Sequence, residues 1–416
     1  MRRVSPTSLL VLLGFAVIWV VTFDEPPNRE IQRAVSPTYI PDGENAFLAL
    51  VGLARGASES PHVVGREVVD ARMREDQSPG EGAALPGHPV DVTIELDGLS
   101  WCHDRGIGDC RDACCWSQET VVSFLRANAH NIALAQALFS YLRYEPVGRH
   151  ERPDWRIASN LGRVAHVAAY GRLVMGDYDL ATRDVIQQYR FWRAYITQPL
   201  SPLDRVAAYG SYAQALSLVS QLIRDAPVLE PAFESLLVSL PPADISNRGA
   251  LVAALRHLEH YRVDSNFDYF AIDWASLGIK PGRPGAVERF FRRGLSRYWF
   301  KPGATMNILW EITQGDTAPT RRLGSRFKAY LPNGAGVAYA WNTADSLQTV
   351  TAMGERAQAK TGLVLTQWQL RKAGLLLDDV GPFVEGLRLN GKKVWWDRDQ
   401  RRLGVYTGDA KLWVDL

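Results

Sequence analysis

The chain has 416 residues, which is enough for two or three domains with cores of their own. Its 46% apolar and 22% charged residues are ordinary for a globular protein. A formal net charge of +2 provides neither the basic field that binds nucleic acids nor an acidic field for cationic partners, so we predict no nucleic-acid partner.

Residues 1–23 have the composition of a membrane anchor. Arg2 and Arg3 precede an apolar run from Leu9 to Phe23, and the acidic pair Asp24-Glu25 follows it. The run is short for a full span and also fits the apolar region of a cleaved signal peptide, but no small-x-small cleavage site follows. We therefore favour an uncleaved signal anchor. The positive-inside rule then predicts a single-pass protein of the bacterial inner membrane, with most of the chain in the periplasm.

Residues 24–119 are predicted to form a spacer, a loop and a cysteine-containing segment. Asp24 to Pro41 is rich in proline and polar residues, which favours a spacer off the membrane surface. The apolar run Asn45 to Leu53 predicts one short helix, and a helical segment follows near Val63 to Met73 within a long loop. Val90 to Leu96 alternates apolar and polar residues, as a strand does.

All four cysteines fall in one short window, at Cys102, Cys110, Cys114 and Cys115. In an exported protein they predict disulfide bonds. A bond between the adjacent Cys114 and Cys115 would be strained, which leaves two possible pairings of Cys102 and Cys110 with these two residues. A zinc site that also uses His103 is the alternative, but the spacing lacks the paired Cys-x-x-Cys hooks of structural zinc folds.

Residues 120–277 are predicted to form a helical-repeat-like domain. Apolar residues recur at helical spacing, and the sequence Val167–Gly171 returns 39 residues later as Val206–Gly210. A period of this length is typical of stacked helical hairpins, which bury a core only by packing on their neighbours.

The centre of this domain is predicted to be two helices around a break at Gly176-Asp177. Asp179 is the predicted N-cap of the second helix. The stretch Ala169–Ala181 resembles one tetratricopeptide unit, with small residues where two helices cross and a Gly-Asp-Tyr turn. The predicted core faces of the two helices are Leu161, Val164, Ala165, Ala168 and Gly171 in the first, and Ala181, Val185, Gln188, Trp192 and Tyr195 in the second.

After a Gly/Pro-rich linker at Gly278 to Gly285, residues 286–416 are predicted to form a small α+β unit. A break at Pro332 to Gly336 and a helix from about Ser346 to Lys372 precede an antiparallel meander. Asn390-Gly391 and Gly408-Asp409 are hairpin signals. This layout resembles the soluble half of pseudopilin-type proteins. The four predicted strands are Leu387–Leu389, Lys393–Trp396, Arg402–Tyr406 and Lys411–Val414.

Several loose motifs along most of the chain resemble a set of uncharacterised, membrane-anchored proteobacterial proteins. The resemblance implies an anchored, periplasm-facing protein and supplies no catalytic residues. The motifs are the anchor, Asn45-Ala46, Trp101-Cys102, Asp109-Cys110, the Gly-Asp-Tyr hairpin, Phe300-Lys301-Pro302, Thr305-Met306-Asn307 and Gly391-Lys392-Lys393-Val394-Trp395-Trp396-Asp397.

Two enzyme-like patterns fail on spacing or context. Ser325-x-x-Lys328 with Lys360-Thr361-Gly362 matches two signatures of penicillin-binding enzymes, but the motifs are too close together and the second lies in a helical pattern. His257 and His260 are three apart and lack a third metal ligand at zinc-helix spacing.

Two further residue types favour packing over chemistry. No Ser or Cys nucleophile is placed with His166 by the sequence, so it is predicted to be a packed residue. Trp395 and Trp396 must face opposite sides of a strand, and sugar or peptide stacking by one of them is the alternative to packing on the preceding helix.

The sequence thus predicts a mainly α protein with an N-terminal membrane helix, a helical-repeat-like array and a small C-terminal α+β unit. No catalytic residue, cofactor or metal ligand is predicted. We expect a scaffold or binding protein that contacts the inner membrane through its anchor and a protein partner in the envelope. The alternatives are an envelope hydrolase acting on peptidoglycan or peptide, and a component of a secretion apparatus.

Overall fold

The computed structural model describes residues 24, 26–57, 59–77, 116–147, 155–226, 248–263, 300–313, 333–408 and 410–416. Within these ranges the chain is mainly helical and ends in one small antiparallel sheet, which confirms the predicted fold class at that level. The chain divides into two compact units. The first unit comprises Met1–Pro37 and Ala250–Gln348, and the second comprises Thr38–Gly249 and Thr349–Leu416.

The described ranges contain twelve α-helices, four strands and two 3₁₀ turns at Asp42–Glu44 and Leu377–Asp379. The helices are α1 Arg29–Val35, α2 Ala46–Leu53, α3 Pro61–Gln77, α4 Gln118–Ala127, α5 Ala129–Phe139, α6 Trp155–Val174, α7 Tyr178–Ile196, α8 Pro202–Asp225, α9 Arg248–Val263, α10 Pro302–Thr313, α11 Gly334–Lys372 and α12 Val380–Val384. The strands are β1 Arg388–Leu389, β2 Lys392–Asp397, β3 Arg402–Thr407 and β4 Ala410–Asp415.

Helix α2 belongs to the second unit, and all eight of its residues are buried. Its partner α3 approaches so closely that a methyl group on Gly52 would lie 1.8 Å from the carbonyl oxygen of Pro61. A methyl group on Gly65 would lie 1.9 Å from the carbonyl oxygen of Leu48. The side chain of Asn45 caps α2 by accepting from Phe47 N, and it also donates to the carbonyl of Glu145 at 2.9 Å.

Helices α5 to α8 pack on one another in the order of the sequence, α2 packs on α5 and α6, and both predicted core faces are buried. Gln188 on α7 donates to the carbonyl of Ala165 on α6 at 3.0 Å, which ties the two predicted faces together. The turn between them has Gly176 at a φ of +79°. The predicted N-cap is wrong by two residues, because the side chain of Asp177 accepts from Leu180 N and α7 begins at Tyr178.

The sheet has the order β1-β2-β3-β4 with every neighbouring pair antiparallel, as the meander prediction requires. Asn390 and Gly391 turn between β1 and β2 with φ values of +52° and +77°. Two positive φ angles are the signature of the tight hairpin that an Asn-Gly pair favours. The buried inner face of the sheet consists of Val394, Leu403, Val405, Leu412 and Val414, with Trp396 half-buried beside them.

Two stretches predicted as irregular are helical. Helix α11 begins at Gly334, inside the predicted break, because Asn333 adopts a φ of +67° and its Oδ1 accepts from Lys301 N and the hydroxyl of Thr305. The predicted spacer contains α1, whose N-cap Asn28 accepts from Ile31 N. The proline-rich and polar composition of this stretch predicts no helix, yet the Asn28 cap stabilises one.

Several predictions fall outside the described residues. They concern the anchor at 1–23, the cysteines with His103, the strand at Val90 to Leu96, the linker at Gly278 to Gly285, and Ser325 with Lys328. Among the helices that the structure does describe, none has the length and apolar composition needed to cross a membrane.

Candidate binding surface

The outer face of the C-terminal sheet carries three rows of side chains that the strand register brings together. The central row is Trp395, Gly404 and Trp413 on β2, β3 and β4. On one side of it Tyr406 lies opposite Lys411, and on the other Arg402 lies opposite Asp415. We call these residues together with Lys393 and Asp397 the aromatic face.

Gly404 lies directly beneath the indole of Trp395. A methyl group at this position would lie 2.0 Å from Cζ2 of Trp395, so only glycine lets the indole lie across β3. The Lys411 ammonium stands 4.3 Å from the centre of the same ring, and the Tyr406 ring centre is 6.0 Å away. A cation over an indole face is held by the quadrupole of the ring.

Trp413 has an equivalent cationic neighbour. The guanidinium of Arg402 lies 5.3 Å from the centre of its ring, and Arg402 Nε donates to the carboxylate of Asp415 at 3.2 Å. Arg224 at the end of α8 approaches the other oxygen of Asp415 at 3.5 Å. Asp415 is therefore paired with Arg402 and more loosely with Arg224, whose guanidinium also donates to Asp225 at 2.6 and 2.8 Å.

The charge that remains on the aromatic face is cationic. Lys393 and Lys411 are exposed and form no ion pair with any described residue. Asp397 is the one carboxylate of the face without an arginine partner, and its Oδ1 accepts from Gln400 N. Tyr406 is 56% exposed and lies opposite Lys411. The surface thus combines an exposed phenol, two part-exposed indoles and two unpaired ammonium groups.

The aromatic face is held in place by polar side chains of α11 that reach the edge of β4. Lys360 is only 3% exposed and donates to the carbonyl of Trp413 at 2.6 Å. Gln367 donates to the carbonyl of Asp415 at 2.6 Å and to that of Ser220 at 3.1 Å. These bonds occupy carbonyls at an edge strand that could otherwise pair with another chain.

The same geometry accounts for the enzyme-like sequence Lys360-Thr361-Gly362. All three residues lie within α11, as the helical pattern predicted, and each has a structural contact. The hydroxyl of Thr361 lies 3.1 Å from that of Tyr212, and a methyl group on Gly362 would lie 2.9 Å from Leu389. The ammonium group of Lys360 donates to the edge strand β4. The motif therefore has a structural role, which is to pack α11 against the sheet and α8.

The remaining candidates do not assemble into a reactive site in the described part of the chain. His166 is half-buried on α6, and His257 and His260 lie on α9. No three His, Cys, Asp or Glu side chains of the described ranges come together as metal ligands do. His62 Nδ1 lies 2.9 Å from the hydroxyl of Tyr141. Nearby, a hydrogen bond from Arg66 lowers the pKa of the Asp42 carboxyl, which keeps this surface pair charged.

Sequence reasoning pointed to one residue of the aromatic face and missed most of its partners. Trp395 and Trp396 were predicted to face opposite sides, and Trp396 contacts the α12 side, with its Cδ1 3.7 Å from a methyl group placed on Gly381. The roles of Gly404, Arg402 and Trp413 depend on register across three strands. The alternation of β3 and β4 after two hairpin signals was the signal that could have found them.

No protein-family model, curated protein or solved structure matches this chain.

Proposed function

We propose that this protein is a membrane-anchored, periplasm-facing scaffold or binding protein, and that the aromatic face is the surface that holds its partner. The observation that carries the proposal is the exposed Tyr406, flanked by part-exposed Trp395 and Trp413 and by the unpaired Lys393 and Lys411. Tryptophan, tyrosine and arginine are enriched among the residues that contribute most of the binding energy at protein interfaces. Such a face suits an envelope protein that presents an acidic segment.

The helical layers of the second unit support the scaffold part of the proposal. Helices α6, α7 and α8 pack pairwise and are joined by short connections, as stacked helical hairpins are. Besides the bond between Gln188 and Ala165, Tyr189 on α7 and Tyr212 on α8 face each other with ring centres 5.6 Å apart. We propose that this region is a helical-repeat-like array.

Location is tested first, with a reporter enzyme fused after Leu416 that is active only in the periplasm. We expect activity in intact cells and recovery of the protein with the inner membrane, because the apolar run at Leu9 to Phe23 is predicted to remain as an anchor. Activity confined to a cytoplasmic reporter at the same position would overturn the proposal.

Binding is tested by placing a photo-reactive phenylalanine analogue at position 406 and irradiating intact cells. The expected result is one adduct with a protein whose crosslinked segment is acidic. A Lys393→Glu variant should lower the yield about tenfold, because a like-charge contact costs roughly 1.4 kcal/mol or more. The cations that lie over the two indoles are Lys411 and Arg402, so a change at Lys393 tests the charge of the face and keeps both of these contacts.

The matched control places the same analogue at Phe383 on α12, which is 43% exposed. Equal adducts at positions 383 and 406, or a yield that ignores the charge at position 393, would remove the aromatic face as the binding surface. Cleavage of peptidoglycan by the purified chain, without a partner, would favour the hydrolase alternative over a scaffold.

A further inference from the structure

The residues that directly follow the predicted anchor are bonded to helix α10 of the first unit. The carboxylate of Asp24 accepts from the amides of Gly303 at 2.9 Å and Ala304 at 3.0 Å. Asn28 N donates to Oδ1 of Asn307 at 3.0 Å, and Asn307 Nδ2 donates to the carbonyl of Pro26 at 3.2 Å. We call these six residues the juxtamembrane clamp.

The clamp provides hydrogen-bond acceptors for backbone amides at the start of α10. Gly303 and Ala304 belong to the first turn of α10, where amides have no partner within the helix. A carboxylate is favoured at this end by the helix dipole as well. Asp24 thus binds α10 by two hydrogen bonds and by charge, which is unlike the free spacer that the composition of this stretch predicts.

Helix α1 is fixed at both ends. At its beginning Asn28 joins it to α10, and at its end Arg256 on α9 donates to the carbonyl of Val35 at 3.2 Å and to that of Ser36 at 3.0 Å. Ile31 is the buried residue that packs α1 on the unit. The segment from residue 26 to residue 36 is therefore part of the body of the first unit.

The distance from the predicted anchor to this body is very short. Phe23, the last apolar residue, is adjacent to Asp24, and consecutive Cα atoms are about 3.8 Å apart. The headgroup layer on each side of the hydrocarbon core is roughly 5 to 8 Å thick. An anchor that ends at Phe23 would hold the start of α10, and α1 with it, at the level of the headgroups.

The exposed side chains of α1 suit that position. Arg29 and Arg33 are four residues apart on one side of the helix, both are exposed, and neither pairs with a described carboxylate. Glu30 is also exposed, and it lies about 100° around the helix from Arg29 and about 60° from Arg33, so the exposed side chains at positions 29, 30 and 33 carry a net charge of +1. Burial lowers the pKa of the neighbouring Lys301, and the Asp24 carboxylate opposes that shift, so the two exposed arginines are the cations of this surface.

We propose that the first unit is seated on the bilayer, with Arg29 and Arg33 bound to anionic phospholipid headgroups and the juxtamembrane clamp fixing this orientation. This inference rests on the proposed membrane anchor. It adds a lipid-contacting surface and makes the clamp a positioning device, so that the first unit cannot swing freely on its anchor.

The test uses the full chain in nanodiscs of phosphatidylcholine, with or without phosphatidylglycerol, and measures hydrogen exchange of α1. We expect exchange to be slower with the anionic lipid by at least about fivefold, since each arginine near an anionic surface contributes roughly a fivefold effect. An Arg29→Gln/Arg33→Gln variant should lose the difference. The control Arg183→Gln/Arg190→Gln removes the same charge from exposed positions of α7 and should keep it.

The clamp is tested by Asp24→Ala in the same nanodiscs. Exchange of the Gly303 and Ala304 amides should become faster by tenfold or more in both lipids, whereas Glu30→Gln, which removes a charge from α1 without touching α10, should leave them protected. Unchanged exchange in Asp24→Ala would remove the clamp.

The outcomes separate the inference from the function on which it rests. A chain that inserts into the nanodiscs but shows the same α1 exchange in both lipids overturns the headgroup contact and leaves the anchor standing. A chain that does not insert overturns the anchor and the inference together.

Discussion

Gly171 and Gly210 hold the same place in the repeated sequence Val-Ala-Ala-Tyr-Gly but have different surroundings. A methyl group on Gly171 would lie 2.7 Å from Cγ1 of Val121 on α4, whereas nothing lies within 4 Å of one on Gly210. The two copies also differ at their tyrosines, because Tyr170 is half-buried and Tyr209 is buried. The sequence repeat therefore places two helices without giving their residues the same contacts.

This pair makes a prediction with an internal control. Gly171→Ala should lower the free energy of unfolding by about 1 to 3 kcal/mol, since Val121 is branched and cannot move aside freely. Gly210→Ala should raise it by about 0.5 to 1 kcal/mol, because alanine costs less backbone entropy in an open helical position. Urea unfolding of the detergent-solubilised chain, followed by circular dichroism, measures both. Shifts of the same sign would contradict the difference in surroundings.

At the scale of elements, Gly52 in α2 and Gly65 in α3 tolerate a larger side chain even less than Gly171 does. Their neighbours are carbonyl oxygens of the opposite helix, which cannot rotate away as a side chain can. Helix α2 is buried on all sides, so it cannot shift outward to relieve a clash with an added methyl group.

Gly52→Ala or Gly65→Ala should therefore cost about 4 kcal/mol or more and leave little folded protein. The measurement is soluble yield after detergent extraction together with the urea midpoint, compared with Gly210→Ala as the tolerated substitution. Near-normal midpoints for Gly52→Ala would show that α2 and α3 can separate without loss of the core.

The elements that sequence could predict are those with a local signal. All eight strand ends were predicted to within one residue, because Asn390-Gly391 sets the first hairpin and the alternation of apolar and polar residues sets the other strands. The faces of α6 and α7 followed from helical spacing. Helix α1 was missed because its stability comes from capping by Asn28 and contacts far along the chain, and α11 began early because Asn333 tolerates a positive φ.

The candidate surface shows the same division. Trp395 was found because two adjacent tryptophans on a strand must face opposite sides. The other contacts join residues on different elements. Lys411 lies over the Trp395 ring, Gly404 lies beneath it, and Lys360 donates to β4. No spacing within the sequence encodes such contacts, since they depend on register and on how α11 crosses the sheet edge.

At the scale of the molecule, the fold of the second unit buries four tyrosines whose phenol groups must stay protonated for the fold to be stable. Burial raises the pKa of Tyr144 and Tyr195 well above the ordinary value of 10.0, with a further contribution from the Asp204 carboxylate to both. Burial also raises the pKa of Tyr189 and Tyr212, whose rings face each other.

The sign of the effect follows from proton binding. Below about pH 10 folded and unfolded chains both keep these protons, so the tyrosines add no pH dependence. Above it the unfolded chain releases protons that the folded chain retains, and the stability of the fold falls as the pH rises.

Four such groups should lower the free energy of unfolding by roughly 5 kcal/mol per pH unit above pH 10, at about 1.36 kcal/mol for each group. Because domains are stable by only about 5 to 15 kcal/mol, we expect cooperative unfolding within one to three pH units of that point. Urea unfolding at stepped pH, with tyrosinate absorbance recorded in parallel, measures the slope. A Tyr144→Phe/Tyr195→Phe variant should halve it and leave the slope between pH 7 and 9 unchanged, which is the control. Ionisation of all tyrosines before any loss of helix would contradict the role given to burial, since buried phenols can ionise in a folded chain only if water reaches them.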